Sequence, residues 1–133
     1  MAVAYLNNGG FRIFRLVIGF QLVLLVIVAS LMPHPPHTAY FKGSDKVAHF
    51  AAYMTMTFWF AWTFPVRSVR LKIGAVFLIL GAILECLQWL SGYRTFEYAD
   101  MAANGLGVLC ALTLTQVSLL SQVRKAKMAG RRF

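Results

Sequence analysis

The stretch that decides the fold runs from residue 73 to residue 91 and reads IGAVFLILGAILECLQWLS. A membrane-spanning helix needs about 20 mostly apolar residues, so this stretch is long enough to cross a bilayer. It contains no lysine or arginine, yet Glu85 stands inside it, with Gln88 three residues later. An ionisable side chain is costly in such a segment, which makes Glu85 a candidate functional residue.

Three further stretches of similar length are mainly apolar and lack lysine and arginine. Together with the first, they predict four transmembrane helices at about residues 16–32, 47–64, 73–91 and 101–121. The chain has 133 residues, of which 59% are hydrophobic, so little sequence remains for a soluble domain. We therefore expect an all-α, polytopic membrane protein, with a single domain over residues 1–133 and a basic tail at 122–133.

The basic residues are distributed unevenly about these stretches. If the four helices alternate in direction, three basic residues fall on one side of the membrane: Lys42, Lys46 and Arg94. The other ten of the thirteen fall on the opposite side, and positive residues concentrate on the cytoplasmic side. Both termini are therefore predicted to be cytoplasmic. The same bias accounts for the net charge of +9, so no nucleic acid is expected as a partner.

The first apolar run admits a second interpretation, because Arg12 and Arg15 precede it and Val28-Ala29-Ser30 follows as a candidate cleavage site. That pattern imitates a signal peptide. The run before the site is long for a signal peptide, and the orientation of the remaining helices would be unchanged. We expect a membrane helix here.

Polar residues recur at helical spacing near one end of the other three stretches. Asp45, His49 and Tyr53 are four residues apart and so share one helix face, as do Glu85 with Gln88 and Asp100 with Asn104. Under the predicted topology these positions lie in the outer third of the bilayer, beside the loop that carries Arg94. We expect one polar pocket that opens to the outer leaflet, with these candidate residues: Asp45, Lys46, His49, Tyr53, Glu85, Gln88, Arg94, Glu97, Asp100 and Asn104.

Such a pocket suits the polar head group of a lipid whose tail stays in the bilayer. In a binding version, Arg94 contacts an anionic group while Asn104 and Gln88 donate hydrogen bonds. In an enzymatic version, Glu85 or Asp100 is the catalytic base and His49 is the acid or a metal ligand. Whether the protein is an enzyme stays open. No cofactor is expected.

Each candidate also has a structural interpretation. Glu85 and Arg94 could form an ion pair, Asp45 could cap its helix, and His49, Gln88 and Asn104 could hold helices together. Two other functions stay open as well. One is a small proton-coupled transporter that uses Glu85, and the other is a structural partner of an envelope complex.

Three motifs follow one another in this part of the chain: DKVAHFAAY at 45–53, ECLQ at 85–88 and RTFEYADMAANGLG at 94–107. In this order they resemble the VanZ-like family of small bacterial membrane proteins. The resemblance covers about residues 45–111. The chain departs from the family where Ser91-Gly92-Tyr93 replaces a proline that many members have before the arginine. It departs again at Ala111, where a further glycine is common.

The resemblance implies a multi-pass protein of the bacterial inner (cytoplasmic) membrane. One member of that family is associated with low-level resistance to teicoplanin, a lipoglycopeptide that acts at the outer face of the membrane. Resistance in one member does not assign resistance to this chain. We predict that the pocket binds or modifies an envelope lipid or a lipid-linked glycan. The expected partners are membrane lipids or a lipid-linked envelope precursor, and a homodimer is left open.

Overall fold

The computed structural model describes residues 9–33, 43–92 and 94–129, except for the side chains at 123, 125–127 and 129. The described ranges contain no strand and form four helices: α1 Gly9–Leu31, α2 Ser44–Thr63, α3 Arg67–Leu90 and α4 Tyr98–Ala129. The all-α prediction is confirmed. Because α4 continues past residue 121 to Ala129, much of the predicted basic tail is helical.

Three of the helices are long and apolar enough to cross a membrane: α1, α3 and the Tyr98–Gln122 part of α4. The α2 helix does not meet that description. Its first turns carry Asp45, Lys46 and His49, and the rest of it contains one tyrosine, three threonines and two tryptophans. The prediction of four membrane helices is therefore supported for three of them. The less apolar α2 packs against α1, α3 and α4, which shields much of its surface.

Polar contacts show that the helices alternate in direction. Lys46, near the start of α2, bonds to Asp100 near the start of α4, and Gln88, near the end of α3, bonds to Ser30 at the end of α1. The α3 residue Glu85 joins the two pairs by accepting a hydrogen bond from the loop that leads into α4. The starts of α2 and α4 and the ends of α1 and α3 therefore meet at one end of the bundle, which we call the polar end. That this end lies on the outer side of the membrane stays a prediction.

The α2 and α4 helices approach closely at Gly107. A Cβ atom at this position would lie 2.5 Å from the carbonyl oxygen of Phe50 and 2.9 Å from the backbone nitrogen of Met54. Ala103 and Ala111, one turn before and one turn after, are also buried. Small residues at these three positions therefore allow the close contact of α4 with α2.

An apolar core fills the middle of the bundle, beyond the polar end. Its centre is the Phe60 ring on α2, which meets Phe20 of α1 and Phe77 of α3 edge to face, with ring centroids 5.8 and 5.5 Å away. Met56 and Val108 are buried in the same cluster. Three helices thus share one aromatic contact, which fixes α1 against the α2–α3 pair.

The polar end is shaped by glycines at two helix boundaries. The N-cap of α2 is Gly43, which makes no side-chain cap hydrogen bond, and its carbonyl accepts the first backbone N–H groups of the helix. The interpretation of Asp45 as a cap is therefore wrong, although Asp45 does lie in the first turn. Gly92 follows the end of α3 with φ of +73°, a left-handed conformation that glycine adopts without strain.

We predict that Gly107→Ala destabilises the fold, whereas Gly105→Ala does not. Both changes add a methyl group to a helical glycine of α4, but a Cβ on Gly105 would meet nothing closer than a Leu78 methyl at 3.9 Å. The Gly107 methyl would press on rigid backbone, and overpacking of this kind costs about 1–3 kcal/mol. Thermal unfolding of the two purified variants in detergent measures the difference. Equal melting temperatures would contradict the close contact.

Candidate functional site

The Lys46 ammonium group contacts three carboxylates at the polar end. Its Nζ donates hydrogen bonds to Asp45 Oδ2 at 2.8 Å, Glu97 Oε2 at 2.6 Å and Asp100 Oδ1 at 3.1 Å. The hydrogen bond from Lys46 holds the pKa of Asp45 below its usual value, and the same three bonds, led by the one to Asp45, raise the pKa of Lys46. One cation therefore links the first turn of α2, the loop after α3 and the first turn of α4.

Asp100 is the most enclosed carboxylate of this group, with a side chain only 1% exposed. Lys46 bonds its Oδ1 atom, while its Oδ2 atom lies 3.6 Å from Arg94 Nη2 and 3.7 Å from His49 Nε2. Burying a carboxylate is costly unless cations or donors surround it. The side chains of Lys46, Arg94 and His49 surround the Asp100 carboxylate and meet that requirement.

His49 bridges the same carboxylate to Asn104. Its Nδ1 atom lies 3.0 Å from Asn104 Oδ1, and because an amide oxygen can only accept, Nδ1 carries the proton in this contact. In the neutral ring, Nε2 then keeps its lone pair and faces Asp100. This nitrogen is therefore placed to accept a proton or to coordinate a metal ion.

Glu85 is buried with one oxygen satisfied and one not. Its Oε1 atom accepts a hydrogen bond from the backbone N–H of Glu97 at 2.8 Å, while Oε2 has no partner among the described residues. Arg94 lies against Asp100 instead. The alternative of a Glu85–Arg94 ion pair is therefore replaced by a contact between Glu85 and the loop backbone.

Tyr53 and Asn104 converge on Gly81, one turn before Glu85 in α3. A Cβ atom on Gly81 would lie 3.1 Å from Asn104 Nδ2 and 3.2 Å from the Tyr53 hydroxyl oxygen. That hydroxyl is buried and finds no hydrogen-bond partner within the described part of the chain. Gly81 therefore makes room for two polar side chains beside Glu85.

Gln88 takes a different position from the other candidates. Its Nε2 atom donates a 2.7 Å hydrogen bond to the carbonyl oxygen of Ser30. Ser30 lies in the last turn of α1, where backbone carbonyls have no partner inside the helix. In this position Gln88 ties α3 to α1, which matches its structural interpretation.

We call the eight residues gathered around Asp100 the polar cluster: Asp45, Lys46, His49, Glu85, Arg94, Glu97, Asp100 and Asn104. It contains all four acidic residues of the chain. Only Lys46 and Arg94 oppose them with a fixed positive charge. The polar cluster therefore has an excess of hydrogen-bond acceptors and of formal negative charge.

One subset of the polar cluster has the donor set of a metal site. His49, Glu85 and Asp100 each offer one ligand atom, and these atoms all lie within 4.8 Å of one another. An imidazole nitrogen with two carboxylate oxygens suits a divalent ion such as zinc or manganese. The same spacing holds for Asp45, Glu97 and Asp100, but the Lys46 ammonium already bonds all three. The first set therefore fits a metal ion better.

Comparison with known proteins places this arrangement in a family. The sequence matches the profile of the VanZ/LLP1 family over residues 4–120, a range that includes the whole polar cluster. The chain belongs to the VanZ/LLP1 family. An uncharacterized protein of Schizosaccharomyces pombe, C11E3.10, is 32% identical over 136 residues, which cover all of this chain and 80% of the yeast protein. No solved structure gives a significant match.

The VanZ/LLP1 match agrees with the resemblance seen in the three motifs. The yeast relative lives in a eukaryotic cell, so the family membership supports a membrane protein and leaves the bacterial inner membrane as a prediction. The name of that relative assigns no activity. What this VanZ/LLP1 protein does has to be argued from its own polar cluster.

Sequence reasoning missed three positions of this VanZ/LLP1 chain that matter for polar chemistry. Gly81 shares a helix face with Glu85, four residues later, and that spacing could have identified it. Arg15 and Arg70 were counted only as charges that orient the helices, yet both are buried. Nothing in their local sequence distinguishes them from the exposed Arg12 and Arg67.

We predict that Lys46→Met and Asp100→Asn are strongly coupled in their effect on stability. Lys46→Met removes the hydrogen bond to Oδ1 of the buried Asp100 carboxylate, whereas the double variant has no such charge to satisfy. The coupling free energy from a double-mutant cycle of thermal unfolding should be roughly 1 kcal/mol or more.

The matched control for this cycle is Lys72→Met, which changes an exposed lysine of α3. It should leave the melting temperature nearly unchanged and should add simply to Asp100→Asn. Additive effects of Lys46→Met and Asp100→Asn would show that the contact seen between them contributes nothing to folding.

Proposed function

We propose that the polar cluster binds the head group of a membrane lipid or a lipid-linked glycan, and that this is the main function of the protein. The observation that carries the proposal is the pair of unpartnered buried atoms, Glu85 Oε2 and the Tyr53 hydroxyl, beside the cluster. A buried polar atom without a partner is costly, so a ligand that bonds to both would be favoured.

The charge of the polar cluster indicates which ligand groups suit it. With four carboxylates against Lys46 and Arg94, the cluster offers mostly acceptors. Sugar hydroxyls and ammonium groups donate hydrogen bonds and match such a site, which favours a glycan or an amine-bearing head group. The earlier expectation that Arg94 binds an anion is less favoured, because Asp100 already lies 3.6 Å from its guanidinium group.

The surroundings of the polar cluster suit a ligand with an apolar tail. The cluster lies at the end of a bundle in which α1, α3 and α4 can each cross a membrane. The outward faces of α3 and α4 are apolar near this end, with Ile83, Leu87 and Leu106 exposed. A lipid could therefore keep its tail against these faces while its head group reaches the cluster.

A modifying activity is the enzymatic form of the same proposal. His49 Nε2 lies 3.7 Å from Asp100 Oδ2, and Glu85 Oε2 is unpartnered within the described ranges. His49 Nε2 and Glu85 Oε2 are therefore two candidate basic atoms in the same cluster. Either can take a proton from a bound hydroxyl group, which is the first step of acid–base catalysis. Asn104 would hold the His49 ring in the required tautomer.

Proton-coupled transport receives less support from the geometry. Glu85 belongs to a cluster at one end of the bundle, and the aromatic core around Phe60 and Phe77 lies between that cluster and the opposite end. A proton path along the bundle would have to cross this apolar layer. A purely structural role in an envelope complex leaves the unpartnered Glu85 oxygen unexplained.

We further propose that the polar cluster faces the outer leaflet, with both termini in the cytoplasm. The support is the excess of basic residues on the loops and ends opposite to the cluster. Green fluorescent protein fused to the C-terminus should fluoresce in a bacterial host, because it folds in the cytoplasm. Alkaline phosphatase fused at the same site should be inactive, and the reverse pattern would overturn this orientation.

The binding proposal predicts a specific lipid on the purified protein that depends on the cluster. Mass spectrometry of lipids retained through mild detergent should detect a glycan- or amine-bearing lipid on the wild type. Glu85→Gln and Asp100→Asn should each reduce the retained amount about tenfold, the loss expected from about 1.4 kcal/mol of binding free energy.

Cys86→Ser is the matched control, since it changes an exposed polar group one residue from Glu85. It should retain the lipid at the wild-type level. Thermal unfolding of each variant separates lost binding from lost folding. If folded Glu85→Gln and Asp100→Asn proteins retain the same lipids as the wild type, the polar cluster is a packing feature and the proposal is wrong.

A further inference from the structure

A second polar feature lies at the end of the bundle opposite to the polar cluster. It is a groove of about 360 Å³ between the first turns of α3 and the middle of α4, and its polar lining includes Arg67, Arg70 and Gln116. We call it the arginine groove. Its volume lies within the range of sites that hold small molecules.

Arg70 is the residue that makes this groove unusual. Its side chain is buried, with 4% of the residue exposed, and its Nη2 atom donates a 2.7 Å hydrogen bond to Gln116 Oε1. Its Nε and Nη1 atoms have no hydrogen-bond partner in the described part of the chain. A buried guanidinium group with unused donors is costly unless an anion accepts them.

The described residues supply no such anion here. All four Asp and Glu side chains lie at the polar cluster, and the other charged residue of the groove lining is the like-charged Arg67. The groove therefore presents positive charge and hydrogen-bond donors together. This is the reverse of the polar cluster, where acceptors are in excess.

The rest of the groove is apolar and opens along the outside of the bundle. Leu71, Leu109 and Val117 line it and are at least half exposed. Since α3 begins at Arg67, Arg70 lies within one turn of a helix end. In a membrane-spanning α3, that position would lie close to the level of the lipid phosphates. An anion with an attached apolar chain fits both parts of this surface.

We propose that the arginine groove binds an anionic phospholipid, with its phosphate at Arg70 and Arg67 and an acyl chain along Leu109 and Val117. Arginine suits this task because its planar fork of donors matches phosphate oxygens. The ligand differs in charge and position from that of the polar cluster, so the proposal does not depend on the function proposed above. A free phosphate ion would share the head-group chemistry but not the apolar contact.

The test adds defined probes to the purified chain in a neutral detergent and measures its melting temperature. Dioctanoyl phosphatidylglycerol at saturation should raise the melting temperature of the wild type by roughly 3 °C or more, since a ligand that binds the folded state stabilises it. Dioctanoyl phosphatidylcholine should raise it less, because its ammonium group offsets the phosphate charge. Inorganic phosphate should leave it unchanged.

Two variants locate the effect. Arg70→Gln should lose most of the phosphatidylglycerol shift, while Lys72→Gln, which changes an exposed cation of the same helix, should keep it. If Arg70→Gln does not fold, Thr113→Trp fills the groove from an exposed position of α4, and Thr55→Trp is its control on α2. Asp100→Asn should keep the shift, since it alters only the polar cluster.

The outcomes are distinct. An equal phosphatidylglycerol shift in the wild type and in folded Arg70→Gln or Thr113→Trp protein would overturn the proposed site. A full shift with inorganic phosphate alone would show an ion site without a lipid contact and would also overturn it. Failure of the polar cluster experiment with success of this one would leave the arginine groove intact.

Discussion

The rest of the structure depends on the close contact between α2 and α4 at Gly107. Because no side chain separates the two backbones there, the parallel helices are held in one register. That register sets Lys46 opposite Asp100 and His49 opposite Asn104, one turn apart. A larger residue at 107 would push the helices apart, and the short contacts of the polar cluster would lengthen together. The apolar contact in the middle of the bundle therefore determines the chemistry at its end.

The buried arginines Arg15 and Arg70 have different surroundings. Arg15 has two nitrogens, Nε and Nη2, without a hydrogen-bond partner in the described ranges, but its guanidinium carbon lies 4.1 Å from the centre of the Trp62 ring, so an aromatic face compensates its charge. The indole Nε1 of Trp59 also donates a 2.8 Å hydrogen bond to the backbone carbonyl oxygen of Arg15. Arg70 is as deeply buried and has only one amide acceptor. Glu85 at the other end likewise has one satisfied and one unsatisfied oxygen. Glu85 and Arg70 are the half-satisfied charged groups that no aromatic ring contacts in the described residues, and we infer ligands from these two.

The sequence allowed the helices and most of the polar cluster to be predicted, because periodic spacing places Asp45 with His49 and Asp100 with Asn104 on single helix faces. Glu85 was identifiable as an ionisable residue inside an apolar run, and the predicted topology placed the remaining charged residues at the same end. The partner of Gln88 and the burial of Arg70 are two of the details that could not be predicted, for physical reasons. Gln88 donates to a backbone carbonyl of α1, and every residue has such a carbonyl, so the residue types along the chain do not reveal this partner. The burial of Arg70 depends on how α3 packs against α4, which the sequence pattern does not reveal. An arginine at the start of a membrane helix is also expected from the concentration of positive residues on the cytoplasmic side, so Arg70 did not stand out.

Helix dipoles add to the electrostatic difference between the two ends of the bundle. At the polar cluster, α2 and α4 begin with Asp45 and Asp100 in their first turns, where negative charge is favoured by the positive end of a helix. At the other end, α3 begins with Arg67 and Arg70 and has no acidic residue in its first turn, so the dipole there opposes the charge of the side chains. An anion bound in the arginine groove would interact favourably with the guanidinium groups and with the helix terminus alike. The cost of that uncompensated helix start is a further reason to expect an anion from outside the chain, since the polar cluster holds every acid the sequence contains.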